Sequence, residues 1–148
     1  MKRIITLFAV VASMLVCSCG KELKLETYDG LYKEPLLSWG ASIDEIKAVL
    51  GEPSLDQSPS SINYDYDRGC FLIYWFEDGG LSEVDVVVQD RNVSFEDLDK
   101  HLRGKYVYTH SYPDIPENYY TFADGTGEIR LISLATDYVH RFSVIFTP

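Results

Sequence analysis

Few side chains in this chain of 148 residues are of the types that catalysis needs. Cys70 could act as a nucleophile beside an imidazole, because a thiol attacks as its thiolate and a neighbouring base generates it. It opens the run CFLIYWF, however, where a small buried residue is expected. The sequence contains no Gly-x-Ser-x-Gly, His-Glu-x-x-His or Cys-x-x-Cys pattern and no phosphate-binding glycine loop. We therefore predict no catalytic residue and a non-enzymatic role.

Metal binding is the second chemistry that the sequence could support. His101, His110 and His140 could bind a metal with an acid such as Asp114, but no two of them have the short spacing typical of ligands. The sequence DGTGE at 124–128 lacks the alternating oxygen ligands of a helix-loop-helix calcium site and is typical of a hairpin turn. We therefore predict neither a metal nor a cofactor.

The first 18 residues are typical of a secretory signal peptide. A basic start precedes an uncharged run at 4–16, which is shorter than the roughly 20 apolar residues that a membrane-spanning helix needs. The end of the run, LVCSC, resembles a bacterial lipobox, in which a small residue precedes a cysteine that is lipidated and becomes the N-terminus. Cys19 fits better than Cys17, because Ser18 is small. The resemblance implies lipidation at Cys19, and a cleaved signal peptide with two unmodified thiols is the alternative.

Charge and the residue after the cysteine indicate where such a lipoprotein would lie. The chain carries 23 acidic and 13 basic residues, a formal net charge of −10, so phosphate backbones and anionic head groups would repel it. We therefore predict no nucleic-acid binding. Gly20 occupies the position at which some lipoproteins carry the aspartate that retains them in the inner membrane. The resemblance thus implies the outer membrane, on its periplasmic face or at the cell surface.

One folded domain is predicted after the signal peptide. Residues 19–34 are polar with scattered Leu and Tyr, and we interpret them as a lipidated tether whose last part, with Tyr32, could dock as an edge strand. Residues 35–148 suit a single domain. The sequence YWFEDGG returns as YTFADGTG, so this domain could consist of two similar halves, 36–90 and 91–148.

Two helices are predicted from their first and last residues. Each begins with a capping box, in which a serine hydroxyl and an acidic side chain three residues later bond each other's backbone N–H groups. Apolar residues then recur at helical spacing, and a glycine is expected to end each helix. The first predicted helix has the capping pair Ser42 and Glu45, the apolar residues Ile43, Ile46, Val49 and Leu50, and the final glycine Gly51. The second has the capping pair Ser94 and Asp97, the apolar residues Phe95, Leu98 and Leu102, and the final glycine Gly104.

Elsewhere apolar residues alternate with polar ones, which is typical of half-buried strands. Asp-Gly turns separate several of these segments, as in antiparallel hairpins. We predict an α+β fold, an antiparallel sheet with helices packed on one face, and irregular loops at EPSLDQSPSS and SYPDIPEN. The predicted strands are 62–67, 70–76, 81–89, 105–110, 119–122, 128–134 and 138–146.

The segment SWGASIDEIKAVLGEP at 38–53 resembles the signature of the SmpA/OmlA family of outer-membrane lipoproteins. In that signature a glycine and a capping Ser or Thr open a helix that ends in Leu/Met-Gly-x-Pro, and Ala41 replaces the usual methionine here. The resemblance, which extends to the related β-lactamase-inhibitor-protein fold, implies helices on one face of an antiparallel sheet, in two tandem repeats in the latter. It transfers no binding residue. The matching positions are Gly40, Ser42, Ile46, Leu50, Gly51 and Pro53.

The aromatic and apolar strand residues are the best indication of a binding surface. Both faces of the strand at 70–76 are apolar, whereas a sheet covered by helices on one side needs only one such face, so a partner could cover the other. Tyrosine, of which the chain has 11, is common at recognition surfaces, although it also simply suits strands. The candidate interaction surface is Phe71, Ile73, Trp75, Tyr64, Tyr66, Tyr106 and Tyr108, with His110 and Tyr112 in step with the last two.

These patterns predict an outer-membrane-anchored lipoprotein of non-enzymatic role, which binds a protein partner or serves in envelope assembly. The first alternative is a module that binds a small ligand or a glycan between the sheet and the helices. A less favoured alternative is a hydrolase that uses a carboxylate pair such as Asp65 and Asp67, which lie two residues apart on one predicted strand face.

Overall fold

The structure, a computed structural model, describes residues 27–28, 31–66, 69–134 and 139–148. Among these residues most strands belong to one antiparallel sheet and two helices accompany it, so the α+β class is confirmed, with strands predominating. The predicted signal peptide and the lipidation site Cys19 lie outside the described residues. The helices are α1 (Ile43–Leu50) and α2 (Phe95–Lys105), and the strands are β1 (Thr27–Tyr28), β2 (Tyr32–Lys33), β3 (Leu55–Ser58), β4 (Ser61–Tyr66), β5 (Cys70–Glu77), β6 (Gly80–Val88), β7 (Val107–Ser111), β8 (Glu117–Thr121), β9 (Glu128–Ser133) and β10 (Phe142–Thr147).

Eight strands form one sheet in the order β3-β4-β5-β6-β10-β9-β8-β7, in which all neighbours are antiparallel. The meander β3 to β6 follows α1, and the meander β7 to β10 follows α2. The last strands of the two meanders pair in the middle of the sheet, where Val86 lies opposite Val144. The order of elements in the first half of the chain is therefore repeated in the second.

One face of the sheet carries the hydrophobic core, and we call it the buried face. Along β5 its residues are Cys70, Leu72, Tyr74 and Phe76, each at most 8% exposed. Burial of large apolar side chains contributes about 1.5–3 kcal/mol each to folding, so the residues of this face contribute strongly to the stability. Other strands add Ile62, Tyr64, Val84, Val86, Val88, Tyr120, Ile129, Leu131, Phe142, Val144 and Phe146 to the same core.

Both predicted capping boxes are confirmed. At the start of α1, the Ser42 hydroxyl accepts a hydrogen bond from the Glu45 backbone N–H (3.4 Å), and the Glu45 carboxylate accepts one from the Ser42 N–H (2.8 Å). Ser94 and Asp97 make the same two bonds at the start of α2, at 3.1 Å and 3.0 Å. The local sequence alone therefore determines where each helix begins.

The ends of the two helices differ. Gly51 ends α1 as predicted, with a φ of +85° that other residues rarely adopt. The predicted end of α2 at Gly104 is wrong, because this glycine keeps a negative φ and the helix continues to Lys105. The strand that follows consequently begins at Val107 rather than at residue 105. Neither of the described helices is long and apolar enough to cross a membrane.

Hydrogen bonds join each helix to a tyrosine of the buried face. The Tyr64 hydroxyl donates to the Gly51 carbonyl at the end of α1 (2.8 Å). Asp99 of α2 accepts from the Tyr120 hydroxyl and from the Asn118 amide, 2.6 Å away, and both partners belong to β8. These bonds fix the helices relative to the two outer parts of the sheet.

Strand boundaries depart from the sequence prediction at both Pro-rich loops. The first loop contains β3, which pairs with β4. The second contributes the first two residues of β8, Glu117 and Asn118. The last strand begins at Phe142, four residues after the predicted start. Backbone pairing with a neighbouring strand decides such boundaries, and local composition does not reveal it.

The segment 31–41, which we call the crossing segment, packs on the buried face. Tyr32 is 1% exposed. The Lys33 backbone N–H points to the Cys70 sulfur (3.4 Å), and the Leu36 N–H donates to the Tyr74 hydroxyl (3.0 Å). The last residues of the predicted tether, 31–34, therefore dock on the domain, and within the described ranges β2 pairs with β1 instead of forming an edge of the main sheet.

Candidate interaction surface

The seven residues of the predicted interaction surface lie on two opposite faces of the sheet. Phe71, Ile73 and Trp75 alternate with the core residues of β5 and point away from the core, because successive strand residues point to opposite faces. We call the face that they occupy the Trp75 face. The four tyrosines of the prediction belong to the core cluster or pack against it, away from the Trp75 face. They are Tyr64, Tyr66, Tyr106 and Tyr108.

Each of these four tyrosines contacts other residues of the domain. Tyr64 meets Tyr74 edge to face (5.8 Å between ring centroids). Tyr106 packs against Phe122 and Phe146, and burial raises its pKa well above the usual range. Three further contacts join Tyr66 to Lys33, Tyr108 to Tyr120, and Tyr108 to the Arg103 guanidinium, which lies 3.7 Å from the ring centroid. These side chains stabilise the fold and leave little surface for a partner.

A β-bulge separates His110 and Tyr112 from Tyr108. Tyr108 lies opposite Tyr120, whereas His110 lies opposite Tyr119, so the strand register shifts between them. An extra residue in one strand reverses the face of every side chain beyond it. The predicted in-step arrangement is therefore wrong. His110 instead stacks on Tyr119 (4.3 Å between centroids, 7° between planes), and Tyr112 meets both rings edge to face.

The strand register places the neighbours of the apolar residues on the Trp75 face. On β6, Val87, Asp85 and Glu83 lie opposite Phe71, Ile73 and Trp75, in that order. On the other side, β4 places Asp65, Asn63 and Ser61 opposite the same three residues. Trp75 is 39% exposed, and Phe71 and Ile73 are half-buried. The face is thus an apolar row that Val87 extends and that acidic side chains border on both sides, and Val87, Asn63 and Ser61 are buried within it.

Asp85 is a carboxylate near the middle of this face. Ile73 and Ile145 lie directly opposite it on the two neighbouring strands. Burial raises its pKa to about 6, against the opposing effects of a hydrogen bond from Ser143 and the charge of Arg141. Its Oδ1 is buried and accepts no hydrogen bond within the described part of the chain. Desolvation without full hydrogen bonding makes this charged group energetically costly.

The far side of the same face carries a linked set of polar groups. Arg130 lies opposite both Ile145 and Tyr119, so it belongs to the Trp75 face. Its Nε lies 3.5 Å from the Glu117 carboxylate, which also accepts a hydrogen bond from the Tyr119 hydroxyl (2.9 Å). Asp65 likewise lies on this face, but Asp67 lies outside the described residues, so the carboxylate pair of a hydrolase remains a prediction.

The groups proposed for catalysis and metal binding do not come together. Burial raises the pKa of the Cys70 thiol, which disfavours the reactive thiolate. His101 packs against Tyr32 in the crossing segment, and His140 Nε2 lies 2.9 Å from the Val93 carbonyl. Across the described ranges, no group of three or more His, Cys, Asp or Glu side chains is placed to hold a metal ion.

Sequence reasoning missed Asp85 as a member of the candidate surface. One signal was present, because Asp85 is the single charged residue in the run VDVVV of a strand with apolar residues on both faces. An acidic residue at such a position is expected either at a binding or catalytic site or on a sheet face that another part of the chain or a partner covers. Asn63 and Glu117 carried no comparable signal, since polar residues are common near strand ends.

Comparison with known proteins yields one structural likeness. No family model matches the chain, and no match is found among curated proteins. Among solved structures, the chain is similar to the crystal structure of a DUF4309 family protein (YjgB) from Bacillus subtilis. The two are 18% identical, the match covers 83% of this chain and 86% of that chain, and the TM-score is 0.46. A likeness at this level supports no inference about function.

Proposed function

We propose that this chain is a lipid-anchored envelope protein that binds a protein partner through its Trp75 face. The observation that carries the proposal is the row formed by Phe71, Ile73 and Trp75, three large apolar side chains on the face opposite the core. Single apolar residues are ordinary on protein surfaces, whereas contiguous apolar rows bordered by polar groups are typical of interfaces. Tryptophan in particular is enriched among the residues that dominate binding energy.

The positions of the helices support a Trp75 face that is open at its Trp75 end, whereas its centre is buried, since Val87, Ser143 and Asn63 are each at most 6% exposed. Their hydrogen bonds to the sheet go to Tyr64, Asn118 and Tyr120, and their buried residues join the same core. We infer that both helices pack on the buried face. Eight strands spaced about 4.8 Å apart give a sheet on the order of 40 Å wide, which is enough for the roughly 800 Å² that one partner contributes to a standard interface.

The envelope setting rests on the sequence. The lipobox-like end of the apolar run supports lipidation at Cys19, and the segment 38–53 supports a relationship to the SmpA/OmlA lipoproteins of the outer membrane. Mass spectrometry of the native protein tests this part, and a cysteine carrying acyl chains at the new N-terminus is the expected result. A bare Cys19 would overturn the lipid anchor without affecting the argument for the Trp75 face.

Crosslinking and affinity capture from intact cells test partner binding. We expect the native protein to recover one stoichiometric partner, and Trp75→Ser to lose that partner while keeping the melting temperature within a few degrees, because Trp75 is part of no core cluster. Val49→Ser is the matched control, since Val49 is 47% exposed on α1, away from the Trp75 face. Equal capture by the Trp75 variant, or a collapse of its stability, would contradict the proposal.

A second candidate function is glycan binding at the edge of the sheet. The stacked pair His110 and Tyr119, with Tyr112 at right angles and the Glu117 carboxylate beside it, combines an aromatic platform with an acid. Such platforms bind the apolar faces of sugar rings. A panel of envelope oligosaccharides titrated against the native protein and Tyr119→Ala tests this candidate, which requires saturable binding that the variant loses.

A further inference from the structure

Trp75 lies directly opposite Glu83 in the pair of strands β5 and β6. Residues in this relationship have Cβ atoms about 4.5–5.5 Å apart, so the indole and the carboxylate are neighbours on the surface. A β-bulge follows this pair at once, and the Ser82 hydroxyl inside the bulge donates to the Trp75 carbonyl (3.2 Å). Bulges of this kind reorient side chains and are often found at functional sites. Trp75 is therefore held by the backbone at a position where it is partly exposed.

A second carboxylate borders the same indole. Glu77 lies two residues beyond Trp75 on β5, hence on the same face, and it is exposed. No described basic side chain forms an ion pair with either Glu77 or Glu83. An exposed tryptophan between two carboxylates that lack a cationic partner in the described part of the chain thus marks this end of the Trp75 face.

The Trp75 face as a whole is also acidic. Among the described residues, Arg130 on this face is already paired with Glu117, and the Arg141 guanidinium lies 5.8 Å from the centre of the Phe71 ring. Acidic groups therefore outnumber basic ones along the described strands. Register places these acids on the face: Asp65, Glu77, Glu83, Asp85, Glu117 and Glu128.

An acidic face of this kind selects its partner by charge. A second copy of the chain would bring like charges together, which costs several kcal/mol at an interface, and an anionic membrane would be repelled for the same reason. A cation above an indole ring gains a favourable interaction with the π electrons, and a neighbouring carboxylate adds a charge-assisted hydrogen bond. Arginine is enriched at the centre of protein interfaces, where it makes both contacts at once.

We propose that the partner presents a positively charged surface to the Trp75 face and that one of its Arg or Lys side chains lies on Trp75 between Glu77 and Glu83. This inference rests on the proposed function, because it names the chemistry of the partner for that same face. The cation would contact the indole, and the two carboxylates would accept hydrogen bonds from it. Diffusional encounter would be accelerated by the opposite charges and slowed by salt.

A defined peptide serves as the probe of this inference. The chain contains two tryptophans, whose indole N–H signals in an NMR spectrum report peptide binding at two separate places. The probe is acetyl-Thr-Val-Arg-Val-Thr-amide, and the same peptide with Gln at its centre is the matched control. Titration of the isotope-labelled full chain followed by NMR should shift the indole N–H signal of Trp75 saturably and leave that of Trp39, in the crossing segment, unchanged. The Arg peptide should bind at least about fivefold more tightly than the Gln peptide, and a rise from about 0.05 M to about 0.5 M NaCl should remove most of this difference.

Variants of the acids separate the charge effect from folding. Glu83→Gln and Glu77→Gln should each weaken binding of the Arg peptide by about threefold or more, whereas Glu96→Gln, which removes an equal charge from an exposed site on α2, should leave binding unchanged. Melting temperatures of all three variants should agree with that of the native chain. Equal shifts with the Arg and Gln peptides, or shifts of both tryptophans alike, would overturn the inference.

The same variants distinguish this inference from the proposed function. If the native chain captures a partner in cells, and capture by the Glu77→Gln, Glu83→Gln double variant is undiminished, the Trp75 face binds a partner whose surface is not basic. If Trp75→Ser also captures the partner normally, the proposed function itself fails. Only loss of capture in both sets of variants agrees with a basic partner on this face.

Discussion

The Glu34 carboxylate lies 2.7 Å from the Lys105 Nζ, and this ion pair joins the crossing segment to the last turn of α2. His101, one turn earlier in the helix, lies 3.6 Å from the same carboxylate and meets the Tyr32 ring edge to face. A part of the chain that resembles a linker in composition is thus held against a helix that begins 61 residues after Glu34. Its contacts belong to the core of the domain.

Replacement of Glu34 by Gln should destabilise the domain. Burial raises the pKa of Glu34, but the His101 imidazole 3.6 Å away and the Lys105 ammonium 2.7 Å away together outweigh burial and hold the pKa below its ordinary value. Loss of the charge removes half of a partly buried ion pair, so we expect a decrease of about 1 kcal/mol in the free energy of unfolding at pH 7. Urea unfolding measures it, with Asp114→Asn in the exposed loop before β8 as the control.

The effect of Glu34→Gln should also depend on pH in a defined direction. A carboxyl group whose pKa is lower in the folded state stabilises the protein above its unfolded pKa, near 4.3, and this contribution is lost as the pH falls through the folded pKa. The difference between native protein and variant should therefore be constant above about pH 5 and decrease at lower pH. A difference that stays the same from pH 7 down to pH 3 would show that the charge of Glu34 is not the cause.

Asp85→Asn should have the opposite effect and stabilise the protein at neutral pH. Burial raises the pKa of Asp85 to about 6, so the folded state binds this proton more tightly than the unfolded state, whose pKa is near 3.9. The native protein should thus gain stability as the pH falls from about 7 to about 4, whereas the variant should lack this gain. At pH 7 we expect the variant to be more stable by roughly 1–3 kcal/mol, measured by urea unfolding. A less stable variant would indicate that Ser143 and Arg141 compensate the charge fully.

The helices were predictable from the sequence because their determinants are local. A capping box needs only two residues three positions apart, and Ser42 with Glu45 satisfies it without help from the rest of the fold. The alternation along β5 is equally local, and it identified Phe71, Ile73 and Trp75 as the residues opposite the core. The same reasoning failed for Tyr108 and His110. A single β-bulge reverses the face on which the following side chains lie, and no residue type in the sequence indicates the bulge.

The repeated sequence YWFEDGG and YTFADGTG shows where local similarity misleads. The first copy lies at the turn between β5 and β6, which joins the third and fourth strands of its meander. The second lies at the turn between β8 and β9, which joins the second and third strands of the other meander. The two copies are therefore not equivalent in the topology, although the order of elements repeats. Similarity between the halves lies in strand order, which depends on pairing between distant residues and cannot be read from short motifs.

Tyr64→Phe should lower stability and leave partner capture unchanged. The Tyr64 hydroxyl donates to the Gly51 carbonyl at the end of α1, so its removal leaves a carbonyl group in a partly buried place without this donor. We expect a loss of about 1 kcal/mol in the free energy of unfolding, seen in urea denaturation. Tyr112→Phe is the control, because Tyr112 is exposed on the loop after β7. If the Tyr64 variant loses partner capture at temperatures where it remains folded, Tyr64 contributes directly to partner binding, which would contradict this prediction.

The two glycines of the turn between β8 and β9 should respond very differently to alanine. Both adopt a positive φ, +79° at Gly125 and +61° at Gly127. A Cβ on Gly125 would meet nothing within 4 Å, so Gly125→Ala should cost only the backbone strain of about 1–2 kcal/mol. A Cβ on Gly127 would lie 2.6 Å from the Thr147 carbonyl oxygen and 2.8 Å from the Phe122 ring, where β9 meets the last strand. Gly127→Ala should therefore lose about 3 kcal/mol or more, because backbone on β10 must move as well.

Thermal unfolding of the two variants side by side measures this difference. With a domain of this size, 1 kcal/mol corresponds to a shift of roughly 3–5 °C in melting temperature, so the variants should differ by several degrees. Gly79→Ala, in the turn between β5 and β6, is a further control, since its φ is +83° and a Cβ there would also meet nothing. Similar losses in all three variants would mean that strain at positive φ, and not the close approach of β10, determines the cost at Gly127.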